Sequence, residues 1–311
     1  EKKEIEELWI DNNNLVGSLP TEIGNLTSLR VFWAEDNALV NTIPSEMAHL
    51  TNLKQLQIRG NKFTGTIPEQ IFDLELEIFD VSSNFLTGTI SKRWGELTKL
   101  TGLYLHDNRF QGSLPDDIWQ LTELTAVWLF NNEITGTLSP QMGQLTKVKE
   151  FFANDNSMTG PIPSEIGLIT GLEQLYLFDN NFDNTLPEQL YNLTALTQLY
   201  LNDNNLSGTI STKIGQLTKL THLVLSQNNF HGTIPNNLEN CEALKKIWVQ
   251  FNNITGTATW EICHLVTHHE TEEFTSDCYE KGDETLYKCD CCTSCCDGQS
   301  YCVNNTEAIA R

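Results

Sequence analysis

The stretch Leu196–Lys219, LTQLYLNDNNLSGTISTKIGQLTK, recurs in varied form along most of the sequence. Aligned on it, the frame L-x-x-L-x-L-x-x-N-x-L-x-G-x-I-P-x-x-I-G-x-L-T-x occurs eleven times, with one deletion before Leu76. The repeats start at Ile5, Leu29, Leu53, Leu76, Leu100, Leu124, Val148, Leu172, Leu196, Leu220 and Leu244. A period of this length predicts a solenoid, in which each repeat packs against its neighbours.

One column of the frame is asparagine in every repeat. Its members are Asn13, Asn37, Asn61, Asn84, Asn108, Asn132, Asn156, Asn180, Asn204, Asn228 and Asn252. A tight parallel coil would leave backbone groups buried without partners in each turn, and an amide side chain both donates and accepts hydrogen bonds. The column therefore predicts a structural ladder rather than a binding site.

The second half of the frame contains L-x-G-x-I-P, as in Phe63–Pro68, Phe110–Pro115 and Phe230–Pro235. With this segment, the chain resembles the leucine-rich repeat family over residues 5 to about 262. It is most similar to the plant-type extracellular subclass, which includes receptor-kinase ectodomains and polygalacturonase-inhibitor proteins. The resemblance implies an α/β repeat solenoid, a curved array with a parallel β-sheet on its concave face. It also implies an extracellular location, either as a secreted protein or as the ectodomain of a membrane-anchored one.

The period stops at Cys263, so we expect a solenoid domain over residues 1–262 and a Cys-rich C-terminal cap with an acidic tail over residues 263–311. None of the nine cysteines precedes Cys241. They are Cys241, Cys263, Cys278, Cys289, Cys291, Cys292, Cys295, Cys296 and Cys302. We expect a disulfide-rich cap, with a thiolate metal site as the alternative. The odd count leaves one thiol free, intermolecular or paired with a cysteine outside this sequence.

The family resemblance implies a disulfide between Cys241 and Cys263, because terminal cysteines staple the capping units of such proteins. The segment Phe274–Cys278 followed by CDCCTSCC resembles the C-terminal tail of secreted leucine-rich repeat proteins of diatom-type algae. Secretion is also favoured by sequons for N-glycosylation. These lie at Asn25, Asn192, Asn205, Asn253 and Asn304.

The charge of the chain restricts its partners. A formal charge of −22 and a pI near 4.5 argue against nucleic acid or an acidic membrane surface. No apolar run is long enough to span a bilayer, so a membrane anchor would lie outside this sequence. Because Glu1 starts almost directly on the first repeat and a solenoid needs a terminal unit over its first core layer, we expect further chain upstream.

An aromatic column follows from the alternation of side chains along a strand. In L-x-x-L-x-L the residue between the last two apolar residues points outward, to the middle of the concave face. Down the array this residue is Trp9, Trp33, Gln57, Asp80, Tyr104, Trp128, Phe152, Tyr176, Tyr200, Val224 and Trp248. Phe130 and Phe178 widen the column. It either stabilises the sheet by cross-strand stacking or forms a large apolar surface for a partner, and we predict the latter.

An acidic column precedes the ladder asparagine and includes Asp107, Asp155, Asp179 and Asp203. These carboxylates either accept hydrogen bonds from turn amides or bind a cation, a basic group or a sugar hydroxyl. Rings beside carboxylates suit cationic or aromatic peptides and glycans. Peptide-hormone receptors of the family often carry an Arg-x-Arg pair that binds a ligand carboxylate. Here His222-x-Val224 and Lys246-x-Trp248 stand in its place, which argues against that mode of recognition.

No catalytic motif is present: the sequence lacks G-x-S-x-G, H-E-x-x-H and a phosphate-binding glycine loop. We therefore expect neither an enzyme nor a cofactor or metal. His264, His268 and His269 are interpreted as solvated residues of the cap.

The sequence thus predicts an extracellular ligand-recognition module that binds a peptide, protein or glycan on its concave aromatic and acidic face. One alternative is a structural protein acting in the cell wall, in adhesion or in ice contact through a column of hydroxyl residues that includes Thr66, Thr89 and Thr137. Another is an inhibitor of a secreted glycan-degrading enzyme.

Overall fold

The computed structural model describes residues 4–269, 271–278, 280–281, 284–285, 287–289, 291–296 and 302–304. The chain divides into two compact units, Glu1–Ser157 and Met158–Arg311. In both units a repeat contributes one strand to a parallel main sheet, one short strand to a second parallel sheet, and one 3-10 helix. The period of the sequence is therefore a structural period.

In the first unit the main sheet is formed by strands of three residues in parallel register. They are Glu7–Trp9, Val31–Trp33, Gln55–Gln57, Ile78–Asp80, Gly102–Tyr104, Ala126–Trp128 and Glu150–Phe152. The second sheet contains Val16–Gly17, Ala38–Asn41, Lys62–Gly65, Phe85–Thr89, Arg109–Ser113 and Glu133–Gly136. The 3-10 helices are Thr21–Asn25, Ser45–His49, Glu69–Asp73, Lys92–Glu96, Asp116–Gln120 and Pro140–Gln144.

In the second unit the parallel strands of the main sheet are Gln174–Tyr176, Gln198–Tyr200, His222–Val224, Lys246–Trp248, Glu273–Asp277 and Ser294–Cys296, and Cys302–Asn304 joins them antiparallel. A separate second sheet contains Ser207–Gly208, Asn229–Gly232 and Asn253–Ile254. Asn181–Phe182 pairs instead with Ser157–Gly160, a strand that begins at the boundary of the units. The 3-10 helices are Ser164–Leu168, Glu188–Asn192, Thr212–Gln216 and Asn236–Asn240.

The end of the second unit departs from the repeat. An α-helix, Trp260–His268, replaces the 3-10 helix, and the strand Glu273–Asp277 then extends the main sheet by pairing with Lys246–Trp248. The remaining strands are Gly256–Thr257 with Tyr287–Lys288, and Glu280–Lys281 with Glu284–Thr285. The main sheet thus continues past residue 262, where the sequence period stops.

From Val31–Trp33 to Lys246–Trp248, each main strand buries its middle residue and turns the two flanking residues to the other face, whereas Leu8 in the edge strand Glu7–Trp9 is only half-buried. Leu103 and Leu199, for example, are fully buried, whereas their neighbours Tyr104 and Tyr200 are not. Aliphatic and aromatic residues from successive repeats therefore form a layered core, as strand alternation requires. The repeats pack so closely that a Cβ on Gly215 would lie 2.3 Å from the carbonyl oxygen of Asn237. This contact explains the glycine of the I-G-x-L segment.

The asparagine column forms the predicted ladder. In the second unit, Asn204 Nδ2 donates to the carbonyl oxygens of Leu177 (2.9 Å), Leu201 (3.2 Å) and Asn202 (3.1 Å). Its Oδ1 accepts from the backbone N–H of Phe182 at 2.9 Å. Asn108 makes the same four contacts in the first unit. One buried amide therefore satisfies four backbone groups in two adjacent turns.

The predicted disulfide between Cys241 and Cys263 is wrong. Cys263 pairs with Cys291, whereas Cys241 is a free, buried thiol. Cys241 directly follows a 3-10 helix, the position that Leu217 occupies one repeat earlier, so it fills a core site as a small apolar residue. Its Sγ lies 3.4 Å from the carbonyl oxygen of Ile214, and burial raises the pKa of the thiol to about 12.

The other described cysteines form the disulfide-rich end that the sequence predicts. The pairs are Cys263–Cys291, Cys278–Cys295, Cys289–Cys292 and Cys296–Cys302. These bonds consume the thiolates that the alternative metal site would need. In this part of the chain, the cysteine cluster therefore acts as a set of covalent cross-links.

We expect Asn204→Ala to lower the free energy of unfolding by about 3 kcal/mol, because it leaves the buried Phe182 N–H without its acceptor and removes one hydrogen bond from each of three carbonyl oxygens. Asn205→Ala is the matched control, since Asn205 is the next residue and is exposed. Urea unfolding followed by circular dichroism measures both. Equal losses in the two variants would contradict the ladder.

Candidate functional site

In the first unit the predicted aromatic column forms two groups of rings. Trp9 and Trp33 stack with their centroids 5.5 Å apart. Further along, Trp128 contacts Tyr104 (5.0 Å, edge to face) and Phe152 (5.4 Å, stacked). With Phe130 and His106, these three residues form a set that we call ring cluster 1: Tyr104, His106, Trp128, Phe130 and Phe152.

In the second unit Tyr176 and Tyr200 lie 4.8 Å apart, and Phe178 contacts both rings. His222 stacks on Tyr200 at 6.0 Å. We call Tyr176, Phe178, Tyr200 and His222 ring cluster 2. Trp248 lies outside it, because Val224 occupies the column position between Tyr200 and Trp248 and is buried.

The rings are less exposed than the sequence suggests, because they cover one another. Only Trp9, at the edge of the sheet, is largely exposed, with 60% of its surface accessible. Phe152 is buried, at 8%, and the other rings of the two clusters are half-buried. A partner would therefore meet ring edges and partly covered faces. Removing one ring would also lower stability, because its neighbours would lose the packing contacts that they make with it.

Neighbouring strands hold the polar atoms of the rings. Trp128 Nε1 donates to Glu150 Oε2 at 3.0 Å, and Trp248 Nε1 donates to Glu273 Oε2 at 2.9 Å. The Tyr176 hydroxyl donates to Gln198 in the same way. In each case the acceptor is the first outward residue of the next strand. These rings are consequently fixed in orientation before any ligand arrives.

Sequence reasoning missed His106, which is part of ring cluster 1. Its ring stacks on Phe130 with centroids 4.4 Å apart, and its Nδ1 is buried without a hydrogen-bond partner. Burial lowers the pKa of His106 to about 4. The residue stands at the same position of the repeat as Phe130 and Phe178, two residues after the aromatic column. That periodicity was the signal that could have found it.

Backbone geometry accounts for the acidic column. Asp107, Asp155, Asp179 and Asp203 have positive φ values of 54°, 52°, 49° and 54°. All other residues of the column share this conformation: Asn12, Asp36, Gly60, Ser83, Asn131, Gln227 and Phe251. Aspartate, asparagine and glycine are the residues that best tolerate left-handed backbone. The column is thus a consequence of the turn after each main strand.

Side-chain amides hydrogen-bond to three of these carboxylates, and the first is Asp107, whose Oδ1 accepts from Asn131 Nδ2 at 2.6 Å. Asn154 Nδ2 donates to Asp155 and Asn202 Nδ2 donates to Asp203, both at 2.7 Å. These bonds fix the two amides so that Asn154 Oδ1 and Asn202 Oδ1 are buried without a partner. Asn154 follows Phe152 by two residues and Asn202 follows Tyr200 by two. Each ring cluster therefore has an unsatisfied amide oxygen beside it.

Between Glu35 and Ser82, the charged side chains of the first unit are paired with one another or with neighbouring polar groups. Arg59 Nε lies 2.8 Å from Glu35, and its Nη2 lies 3.5 Å from Asp36. Asp80, in the aromatic column, is buried and accepts from the Ser82 N–H and hydroxyl at 2.9 and 2.6 Å. Burial raises the pKa of Asp80. These groups thus satisfy one another's hydrogen-bonding capacity.

The remaining predicted groups are dispersed. Asn25, Asn192, Asn205 and Asn253 are exposed, whereas the Asn304 sequon lies outside the described residues because it includes residues 305 and 306. His264, His268 and His269 lie on or directly after the α-helix with their rings in contact. Within the described ranges, no group of three or more His, Cys, Asp or Glu is placed to hold a metal ion. No helix there has the length and apolar character needed to cross a membrane.

Comparison with known proteins assigns the class. The family model for the Leucine Rich Repeat matches residues 4–26, 52–74, 99–121, 171–193, 195–217 and 219–241. Together with the repeated frame and the parallel main sheets, this defines a leucine-rich repeat solenoid with a disulfide-rich C-terminal end. The matched repeats of this chain are therefore leucine-rich repeats. The predicted fold class is therefore confirmed.

Several solved structures share this fold. The ectodomain of the Arabidopsis thaliana receptor kinase GASSHO1/SCHENGEN3, in complex with CASPARIAN STRIP INTEGRITY FACTOR 2, is 26% identical with a TM-score of 0.81, over 92% of this chain and 39% of that one. The Arabidopsis receptor kinase HAESA, in complex with the peptide hormone IDA and the co-receptor SERK1, is also 26% identical, with a TM-score of 0.67, over 91% of this chain and 54% of that one. This chain thus spans about half of those ectodomains or less.

A plant ice-binding protein has the same fold, with 23% identity and a TM-score of 0.65, over 91% of this chain and 83% of that one. No protein of curated function matches this sequence in a sequence search. The similarity to solved structures therefore establishes the architecture, and the chemistry of the ligand has to come from the surface of this chain.

We expect the stability of the protein to fall as the pH drops from about 6.5 to about 4, in part because folded His106 resists protonation while the unfolded state binds the proton. His106→Phe keeps a ring against Phe130 and removes the titration. The variant should therefore become more stable relative to the wild type as the pH falls from 7.5 to 5, as measured by urea unfolding at both pH values. A pH-independent difference would show that His106 does not titrate in this way.

Asp203→Asn and Asp203→Ala separate charge from backbone conformation, because both remove the carboxylate. We expect Asn to leave the free energy of unfolding nearly unchanged and Ala to lower it by about 2 kcal/mol, since alanine tolerates positive φ poorly and cannot accept the hydrogen bond from Asn202. Thermal unfolding of the two variants measures both changes in stability. If both variants lost the same amount of stability, the charge of the carboxylate rather than its backbone conformation would account for the aspartate.

Proposed function

We propose that the protein is an extracellular ligand-recognition module that binds a peptide, protein or glycan on the outward face of its main sheets. The partner brings hydrogen-bond donors to this face, and basic or aromatic peptides fit best. The observation that carries the proposal is the repeated pairing of a fixed ring cluster with a buried, unsatisfied amide oxygen. The same pairing is present in both units.

The unsatisfied oxygens favour a ligand over a purely structural role. A buried acceptor without a partner costs about 1 to 3 kcal/mol, so a surface serving only stability gains nothing from retaining it. Asn154 is only 6% exposed, yet its Oδ1 makes no hydrogen bond. A partner that moves the covering side chains and brings a donor would recover this cost. The unsatisfied oxygen therefore supports recognition of a donor-rich group beside Phe152.

The surroundings of the clusters favour a basic partner. Asp107 and Asp155 lie on the turns beside ring cluster 1, and Asp179 and Asp203 lie beside ring cluster 2. Cations bind well over aromatic rings when carboxylates are near. Rings whose orientation is already fixed lose little conformational entropy on binding, which makes such Trp and Tyr side chains effective anchors of interfaces. The net charge of −22 acts in the same direction over longer distances.

The family comparisons support the class of function. The GASSHO1/SCHENGEN3 and HAESA ectodomains are in complex with CASPARIAN STRIP INTEGRITY FACTOR 2 and with the hormone IDA, respectively. Four disulfides in the described residues fit an oxidising compartment. Both observations favour an extracellular receptor-like module that acts by binding rather than by chemistry.

To test the proposal, peptides selected from a display library and oligosaccharides from a glycan array are measured against variants of each unit. Asn154→Leu and Asn202→Leu remove the unsatisfied oxygens at similar volume. We expect each to weaken binding at least tenfold while leaving thermal stability unchanged or slightly higher. The paired changes Trp128→Ala with Phe130→Ala, and Tyr176→Ala with Phe178→Ala, should abolish binding with some loss of stability.

The control changes Thr64→Ala and Thr135→Ala alter exposed residues of the second sheet and should leave binding intact. The wild type should also gain roughly 2.7 kcal/mol of stability at a ligand concentration 100 times the dissociation constant. Binding that survives loss of the rings and of both asparagines, but is lost on changing Thr66, Thr89 and Thr137, would contradict the proposal. That result would assign the protein to surface contact through its hydroxyl column.

A further inference from the structure

A groove of about 380 Å³ lies at the C-terminal end of the main sheet, in the second unit. It forms because the outward column changes from a large ring to small residues. Trp248 pairs in register with Thr275, and Thr275 pairs with Ser294. The indole of Trp248 therefore borders a recess instead of another ring.

The walls of the groove present mainly hydrogen-bond acceptors. Glu272 and Glu273 line it, and Glu273 Oε2 also accepts from Trp248 Nε1. Gln250 lines it as well. The hydroxyl of Thr293 is already committed, because it donates to the Phe274 carbonyl oxygen and accepts from the Phe274 N–H. The two carboxylates thus give the groove acceptors for further hydrogen-bond donors.

The nearest cation among the described residues is already paired. Lys246 Nζ lies 4.2 Å from the centroid of the Trp248 ring and 3.5 Å from Glu273. Its position shows that this indole and this carboxylate accommodate a positive charge together. Because Glu273 offsets the charge of Lys246 and Glu272 adds another negative charge, the groove repels a carboxylate and attracts a cation.

We propose that this groove binds a guanidinium group, as presented by an arginine side chain of a partner peptide. A planar guanidinium has five N–H donors, which match the two carboxylates, and it stacks well on an indole. Lysine offers fewer donors and no plane. The groove lies on the surface proposed above to recognise a partner, so the identity of its ligand rests on that function.

The experiment follows Trp248 directly. The protein is labelled with 5-fluorotryptophan, and the fluorine resonance of Trp248 is assigned among the seven tryptophans by Trp248→Phe. Nα-acetyl-arginine amide should shift this resonance in a saturable manner. Nα-acetyl-citrulline amide, which has nearly the same shape without the charge, should bind at least tenfold more weakly.

Charge variants test the residues. Glu272→Gln with Glu273→Gln should weaken arginine binding at least tenfold, and the glutamine at position 273 still offers an oxygen to the Trp248 indole. Lys246→Met should strengthen it several-fold by removing the competing charge. Glu239→Gln with Glu242→Gln is the matched control, because both residues are exposed, belong to the same unit and do not line the groove. It should change the affinity less than twofold.

Three outcomes would overturn the proposal: equal binding of the citrulline and arginine probes, no response of Trp248 to the arginine probe, or a response to N,N′-diacetylchitobiose alone. The last would assign the groove to neutral sugars. Because the probe is read at Trp248, failure here is separate from failure at the ring clusters, which the Asn154 and Asn202 variants test independently. If the groove binds arginine but no peptide or oligosaccharide binds at the ring clusters, the inference about the groove holds and the proposed function is rejected.

Discussion

The hydrogen bonds of the ladder asparagines are the constraint on which the rest of the structure depends. Each repeat of about two dozen residues forms one turn of the coil, and the bends within that turn bring carbonyl groups inside, where water cannot reach them. The Asn204 amide satisfies three of these carbonyls and one N–H of the preceding turn. Strands of three residues and tight turns are possible only because this amide completes their hydrogen bonding.

The ladder also determines the surface. The residue before each ladder asparagine takes positive φ, which favours aspartate and asparagine for conformational reasons. Carboxylates therefore line the face before any ligand is considered, and their charge is available for recognition at little cost in stability. At Asp155 and Asp203 the carboxylate holds a neighbouring amide, whose oxygen is then left without a partner. A backbone requirement thus produces a chemically specific site.

Register gives the surface its second property. Because equivalent residues of successive strands align, the first outward residue of one strand accepts a hydrogen bond from the ring of the strand before it. Glu150 holds Trp128 in this way, and Glu273 holds Trp248. Where the aligned residue is small, as Thr275 is beside Trp248, a groove opens instead. Changes at single outward positions can therefore reshape this face while the core and the ladder stay the same.

The sequence by itself determined the solenoid, the asparagine ladder, the outward aromatic column and the disulfide-rich end, because eleven copies of one frame repeat the same local and nearest-neighbour interactions. The tertiary structure alone decided that Cys241 stays a buried thiol, that His106 joins ring cluster 1, and that Asn154 Oδ1 and Gln250 Oε1 have no partner. These features depend on the rotamers and burial of single side chains next to residues one repeat away. A periodic pattern specifies which residues become neighbours, whereas the hydrogen bonds that neighbouring side chains form depend on geometry that only the folded chain provides.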